Sequence, residues 1–253
     1  VQGVGDTTEN ITVIPAFHGL GGPTVCNRHG KTLTIEPGTP MFDNVVTILD
    51  WLGIIVFAVT GALVASRNRM DIVGFVLLGV VTGIGGGTIR DLLLDIHPLI
   101  WIEQPTYLLV CAAASLCVFF TAHLGHSSDR LLLWLDAVGL SLFAATGAER
   151  ALSAGVPPLV AIIMGIITAC FGGIIRDTLS QEKSIIFSYE IYITAAMVSA
   201  ATYVCASIVG MSREFAVTAG IVLGFTLRAG ALQYNWSLPR HLPQPSRKPQ
   251  ATG

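Results

Sequence analysis

Charge is what this sequence has least of. Of its 253 residues, 12% are Asp, Glu, Lys or Arg and 52% are hydrophobic, whereas a soluble domain usually carries about 25% charged residues to solvate its surface. Half that density cannot cover a globule of this size. The 14 basic and 16 acidic residues leave a net charge of −2, so the basic surface that nucleic acid requires is absent too. The five cysteines (Cys26, Cys111, Cys117, Cys170, Cys205) show no metal-ligand spacing, and four lie in apolar runs, where they read as small buried hydrophobes. His123, His126 and Asp129 are close in sequence but fall in a loop at the end of a hydrophobic run, and read as a solvated interface. No nucleophile–base pair or phosphate loop is present. Gly85-Gly86-Gly87 lacks the strand–helix context of a dinucleotide fingerprint. An enzyme, a cofactor and a bound metal are therefore not expected, and the composition is that of an integral membrane protein.

Proline is missing from the interiors of the hydrophobic runs: all twelve prolines lie outside them, with Pro105, Pro157 and Pro158 where helices would begin. The runs are continuous rather than alternating, which excludes an outer-membrane β-barrel. Measured against the roughly 20 apolar residues a helix needs to cross a bilayer, seven spans emerge: 48–66, 72–89, 106–124, 131–148, 157–175, 191–211 and 215 to about 236. The last is interrupted by Arg228. Trp51, Trp101, Trp134 and Trp236 fall near span ends or in connections, as interfacial belts require. Residues 1–40 hold seven Gly and four Pro and read as a disordered or non-native tail, with Met41 as a plausible native start. Residues 239–253 read as a disordered basic tail. Lys and Arg in short loops and the tail count seven on one side (Arg67, Arg69, Arg130, Lys183, Arg240, Arg247, Lys248) against Arg150 and Arg213 on the other. This bias places the C-terminus in the cytoplasm and residue 41 outside.

A shift of 86 residues makes the sequence match itself. Asp50 to Ala62 aligns with Asp136 to Ala148 with seven identities in thirteen, and Gly79 to Leu93 with Gly165 to Leu179 with eight in fifteen. The matches include Arg-Asp and paired glycines, which chance similarity between apolar helices would not produce. One period holds three spans, an odd number, so the second copy enters the membrane upside down. The expected fold is all-α: residues 41–124 and 125–211 as two inverted three-helix repeats, and 212–238 as a seventh, additional helix.

The repeated residues are the candidate site. Asp50, Gly53, Phe57, Thr60 and Gly61, and their counterparts from Asp136 onward, share one helical face. At membrane depth the two aspartates either pair structurally or line a pathway. Gly79, Gly83 and Gly87 recur as Gly165, Ala169 and Gly173, with Thr82 and Thr168 also matched. Gly85-Gly86-Gly87 and Gly172-Gly173 are poor helix formers, at about 0.8–1 kcal/mol each against alanine. They are the expected kink sites, either tightly packed or freeing carbonyls toward a cation. Arg90-Asp91 and Arg176-Asp177 follow. Sequence neighbours on a helix point in different directions, so each Arg is expected to find its acid on another helix, Asp50 or Asp136.

Gly-Gly-Gly-Thr-Ile-Arg-Asp in span two and Gly-Gly-Ile-Ile-Arg-Asp in span five, on seven spans with an inverted repeat, resemble the prokaryotic TRIC proteins. These are relatives of the trimeric intracellular cation channels, in a bacterial domain family also labelled glycine transporter. The resemblance covers Phe42 to about Leu238. It implies a multi-pass protein of the bacterial inner (plasma) membrane, a homotrimer with one pore per subunit, and potassium as the main permeant ion. Gly85, Gly86, Gly87, Gly172 and Gly173 would be the kink glycines, with Arg90, Asp91, Arg176 and Asp177 the attached charges. Two functions follow: a passive monovalent-cation channel, or a carrier for a small zwitterion such as glycine. Residues 1–40 have no place in the family pattern, and Phe171 stands where a third glycine would be.

Overall fold

The computed structural model describes residues 24–26, 32–34, 40–121, 129–181 and 191–234. The chain divides into two units, Val1–Asn44 and Val45–Gly253. In the first, β1 (Thr24–Cys26) pairs antiparallel with β2 (Thr32–Thr34), Val25 opposite Leu33. These strands, together with Pro40, are what the structure describes of the segment read above as a tail.

The second unit is built of helices: α1 (Pro40–Arg67, entering this unit at Val45), α2 (Ile72–Leu93), the single turn α3 (Ile100–Glu103), α4 (Thr106–Thr121), α5 (Asp129–Ser153), α6 (Pro158–Leu179), α7 (Ile191–Ile208) and α8 (Arg213–Tyr234). Six of them, all but α3 and α4, are long and apolar enough to cross a membrane, and α4 is apolar over its 16 described residues. Each of the seven expected spans coincides with a helix, six of them of spanning length and α4 shorter over its described residues, and α8 runs without interruption through Arg228.

Local chemistry explains the boundaries. The Asp71 carboxylate accepts from Gly74 N at 2.8 Å and caps α2, satisfying a backbone donor that the first turn leaves unpaired. Pro158 opens α6, where its missing N–H costs nothing. The ends obey the repeat. Leu94 N donates to the Arg90 carbonyl and Ser180 N to the Arg176 carbonyl, each at 3.0 Å. The next residues, Asp95 and Gln181, both turn left-handed at φ 55°. The ends of α1 and α5 likewise turn at Arg69 and Gly155.

Two ion pairs set the arrangement of the halves. Arg67 at the end of α1 meets Asp129 at the start of α5, and Asp50 near the start of α1 meets Arg150 near the end of α5. Repeat-related helices α1 and α5 therefore lie antiparallel, so the halves are inverted. Midway, Phe57 and Phe143 touch at 5.1 Å between ring centroids. Each ring covers the other helix's glycine, Phe143 on Gly53 and Phe57 on Gly139. The core grows outward from this pair through Ala58, Ala62, Leu140 and Ala144. α8 packs against α5 and α7.

Candidate functional site

Helices α2 and α6 cross at the centre of the bundle with almost nothing between their backbones. A Cβ added to Gly86 would run into the Thr168 carbonyl, and one added to Gly172 would stand 2.7 Å from the Thr82 carbonyl. The two contacts are repeat images of each other. Thr82 and Thr168 are also seated against glycine: their hydroxyls lie 2.7 Å from where a Cβ on Gly61 or Gly147 would stand. Each hydroxyl donates back along its own helix, Thr82 to the Leu78 carbonyl at 2.5 Å and Thr168 to the Met164 carbonyl at 2.6 Å. Such back-bonding satisfies a buried hydroxyl without a partner helix and tends to bend the turn that carries it.

At one end of the bundle, the start of α1, the end of α2, the start of α4 and the end of α5 bring together Asp50, Arg90, Asp91, Tyr107 and Arg150. Arg90 donates twice to Asp91 Oδ1, from Nε at 2.8 Å and Nη2 at 2.7 Å. Asp50 pairs with Arg150 across the halves. Buried Tyr107 stacks on Trp51 with centroids 3.9 Å apart. The group is mostly buried, yet the Arg150 side chain keeps 29% of its surface exposed.

The opposite end holds the repeat image. The start of α5, the end of α6, the start of α7 and the end of α8 gather Asp136, Arg176, Asp177, Tyr192 and Arg228. Arg176 donates from Nη1 to Asp136 Oδ1 at 3.0 Å and from Nε to Asp177 Oδ1 at 2.8 Å. Arg228 lies over the Tyr192 ring, 5.1 Å from its centroid. Here Asp136, Arg176 and Arg228 are all 0% exposed. Among the described residues, Asp136 Oδ2 and Arg176 Nη2 make no hydrogen bond. A Cβ on Gly173 would lie 3.1 Å from the Tyr192 hydroxyl, 3.7 Å from Arg176 Nη2 and 3.8 Å from Asp136 Oδ1. That backbone glycine therefore forms one wall of the polar cluster. Its image Gly87 would meet Arg90 Nη2 alone, at 3.9 Å.

Several sequence expectations change. Arg90 pairs with its own neighbour Asp91 rather than across helices, because the long guanidinium folds back along the helix to reach a short carboxylate. Arg176 does both, bonding Asp177 and Asp136. The helical assignment is unbroken through Gly85–Gly87 and Gly172-Gly173, and the glycines divide by role. Gly86 and Gly172 make the crossing, Gly87 and Gly173 border the charges, and Gly85 faces Ile175 Cδ1. Arg150, counted as a loop residue, belongs to α5. Arg67 is the last residue of α1 and is ion-paired rather than a free loop charge. Gly220 and Gly224, a small-residue seam of the kind that lets another helix approach closely, are occupied within the chain by Ser199 of α7. His123, His126 and Trp236 lie outside the described residues.

Sequence reasoning missed Tyr107, Tyr192, Arg150 and Arg228. The tyrosines had a signal. In the third helices the register of the repeat moves from 86 to 85, which puts Tyr107 opposite Tyr192. The packing shows this shift: Gly79 meets Ser115, and its image Gly165 meets Ala200.

A family model described as glycine transporter matches residues 47–123 and 133–208, the two repeats in turn. Among curated proteins, the chain is 38% identical over 213 residues to a UPF0126 membrane protein of Vibrio cholerae, covering 81% of this chain and 86% of that one. It is 40% identical over 196 residues to the UPF0126 inner membrane protein YadS of Escherichia coli K12, covering 76% and 93%. Among solved structures, the TRIC trimeric intracellular cation channel orthologue from Rhodobacter sphaeroides superposes with a TM-score of 0.75 at 55% identity, over 76% of this chain and all of that one. A structure described under the conductance of TRIC cation channels superposes with a TM-score of 0.72 at 34% identity, over 79% and 98%.

Proposed function

The chain belongs to the prokaryotic TRIC family, the domain family also labelled glycine transporter, and from that premise we propose that it is a membrane channel for monovalent cations, potassium foremost. The observation that carries this reading is the pair of repeat-related charge clusters, one at each end of an inverted bundle and joined through α2 and α6. Each cluster, among the described residues, holds two acids and two arginines. A cation in a path opened past either cluster would meet carboxylates whose charge is balanced, so it would be neither repelled by bare arginine nor trapped by bare acid.

In this reading α2 and α6 line the path. Thr82, Thr168 and the backbone at Gly85, Gly86, Gly87, Gly172 and Gly173 provide its polar lining, and a bend at the glycines would turn carbonyls toward the ion. Arg90, Asp91, Arg176 and Asp177, with Asp50 and Asp136, form the charge network at the two mouths. The relatives named as trimeric channels support a homotrimer with one path per subunit, and the loop charges support residue 41 outside and the C-terminus in the cytoplasm. The family label keeps a second reading, a carrier for glycine or a similar zwitterion, in which the same clusters would open alternately. Purified protein in planar bilayers separates the two. Ohmic unitary currents in potassium chloride support the channel; saturable uptake of labelled glycine without currents supports the carrier.

A further inference from the structure

The repeat supplies three charges to each end: Asp50, Asp91 and Arg90 at one, Asp136, Asp177 and Arg176 at the other. Each triplet sums to −1, and each is buried. In the first half the missing cation comes from Arg150 of α5, which pairs with Asp50. The repeat position matching Arg150 is 86 residues earlier, and it is Val64, apolar and 0% exposed. The repeat therefore cannot complete the second cluster. α8, the one long helix without a counterpart in the other half, brings Arg228 to that end. It is fully buried and lies over the same Tyr192 ring whose hydroxyl borders Gly173 beside Arg176 and Asp136. A charge buried that deeply is sustained only by opposite charge or by oriented dipoles.

We infer that Arg228 is the fourth member of the second charge cluster and does for Asp136 and Asp177 what Arg150 does for Asp50 and Asp91. α8 is thus part of the site rather than an outer addition. Arg228 is a positioning residue: its charge balances the ionised acids of that end, so that the cluster as a whole is neutral and of low affinity for cations. The charge balance stands by itself; its effect on permeation rests on the channel reading.

The test is a double-mutant cycle on the full chain in detergent, with melting followed by tryptophan fluorescence, and with bilayer recordings in parallel. Arg228→Met should lower the melting temperature. Adding Asp136→Asn should recover most of that loss, because the pair of changes removes one charge of each sign. Adding Asp50→Asn, at the opposite end, should recover nothing. Arg228→Lys, which keeps the charge, should stay near wild type. In bilayers, Arg228→Met should lower the half-saturating potassium concentration several-fold, and Asp136→Asn should restore it. An unchanged melting temperature for Arg228→Met would overturn the inference. So would equal rescue by Asp50→Asn and Asp136→Asn, or a Lys variant as damaged as the Met variant. If wild type carries no current but the melting cycle behaves as stated, the channel reading fails while the charge assignment stands. If currents flow and half-saturation does not move, the effect on permeation is withdrawn.

Discussion

The two halves of this molecule carry the same Asp, Arg-Asp and Tyr set and use it differently. At the second end, Arg176 bonds Asp136 and Asp177 at once and no part of it reaches the surface. At the first, Arg90 bonds Asp91, while Asp50 reaches across to Arg150, whose side chain is partly exposed. Sequence repetition thus supplies three of the charges at each end, but neither the fourth nor their pairing. The second end is a closed knot within one half plus α8. The first is a bridge between halves with access to solvent, and bridges of that kind yield more cheaply than buried knots.

The largest expected effect comes from cutting the knot. Asp136→Asn removes one anion from a fully buried network and should cost about 3–5 kcal/mol, read as a melting-temperature loss in detergent. Asp50→Asn leaves Arg150 able to rehydrate and should cost about 1 kcal/mol or less. Equal losses would show that the two ends are energetically alike, and the comparison would dissolve.

Next come the crossing glycines. Gly86→Ala and Gly172→Ala each drive a methyl group onto a backbone carbonyl that has no side-chain freedom to yield. About 1–3 kcal/mol of overpacking is expected from each, toward the upper end, with reduced yield of folded protein. Gly87→Ala has room for its methyl group and should fold normally. There the change is helix stiffening by about 1 kcal/mol, which should reduce potassium flux if a bend at that point opens the path. Normal flux would make Gly87 a spacing residue only. Gly173→Ala is intermediate, because its methyl group would crowd the Tyr192 hydroxyl.

The smallest effect belongs to the exposed loop. Arg69→Gln should alter neither melting nor conductance, and Arg67→Gln should cost about 0–1 kcal/mol through its exposed partner Asp129. Arg90→Gln should change conductance or gating. If Arg69→Gln changed currents as much, Arg90 would be acting through general surface charge.

Much of the fold was legible before the structure. Expected spans starting at residues 72, 106 and 191 coincide with the first residues of α2, α4 and α7, because continuous apolar runs bounded by Pro, Asp or charge leave little choice. The repeat was legible because Arg, Asp and paired Gly rarely recur in register by accident. Side-chain pairing was not. Whether Arg90 reaches Asp91 or Asp50 depends on how a flexible chain of methylenes folds back, and sequence spacing does not encode that. Nor could the sequence separate Gly86 from Gly87. They are adjacent and chemically identical, but 100° of helical rotation aims one at a neighbouring backbone and the other at a guanidinium. Arg228 looked like a defect in the last span. Its value emerges only once Tyr192, from a different helix, is beneath it.

The interlock of Phe57 on Gly139 and Phe143 on Gly53, with Gly86 on Thr168 and Gly172 on Thr82, has a bearing on symmetry. Every one of these contacts is isologous: a patch on one half meets the identical patch on the other. Such an interface needs no covalent link between its partners, only two copies inserted in opposite directions. The geometry is therefore that of a dimer of inverted twins held within one chain. Val64 and Arg150 mark one position where the two patches differ, and α8 stands outside the symmetric pair altogether.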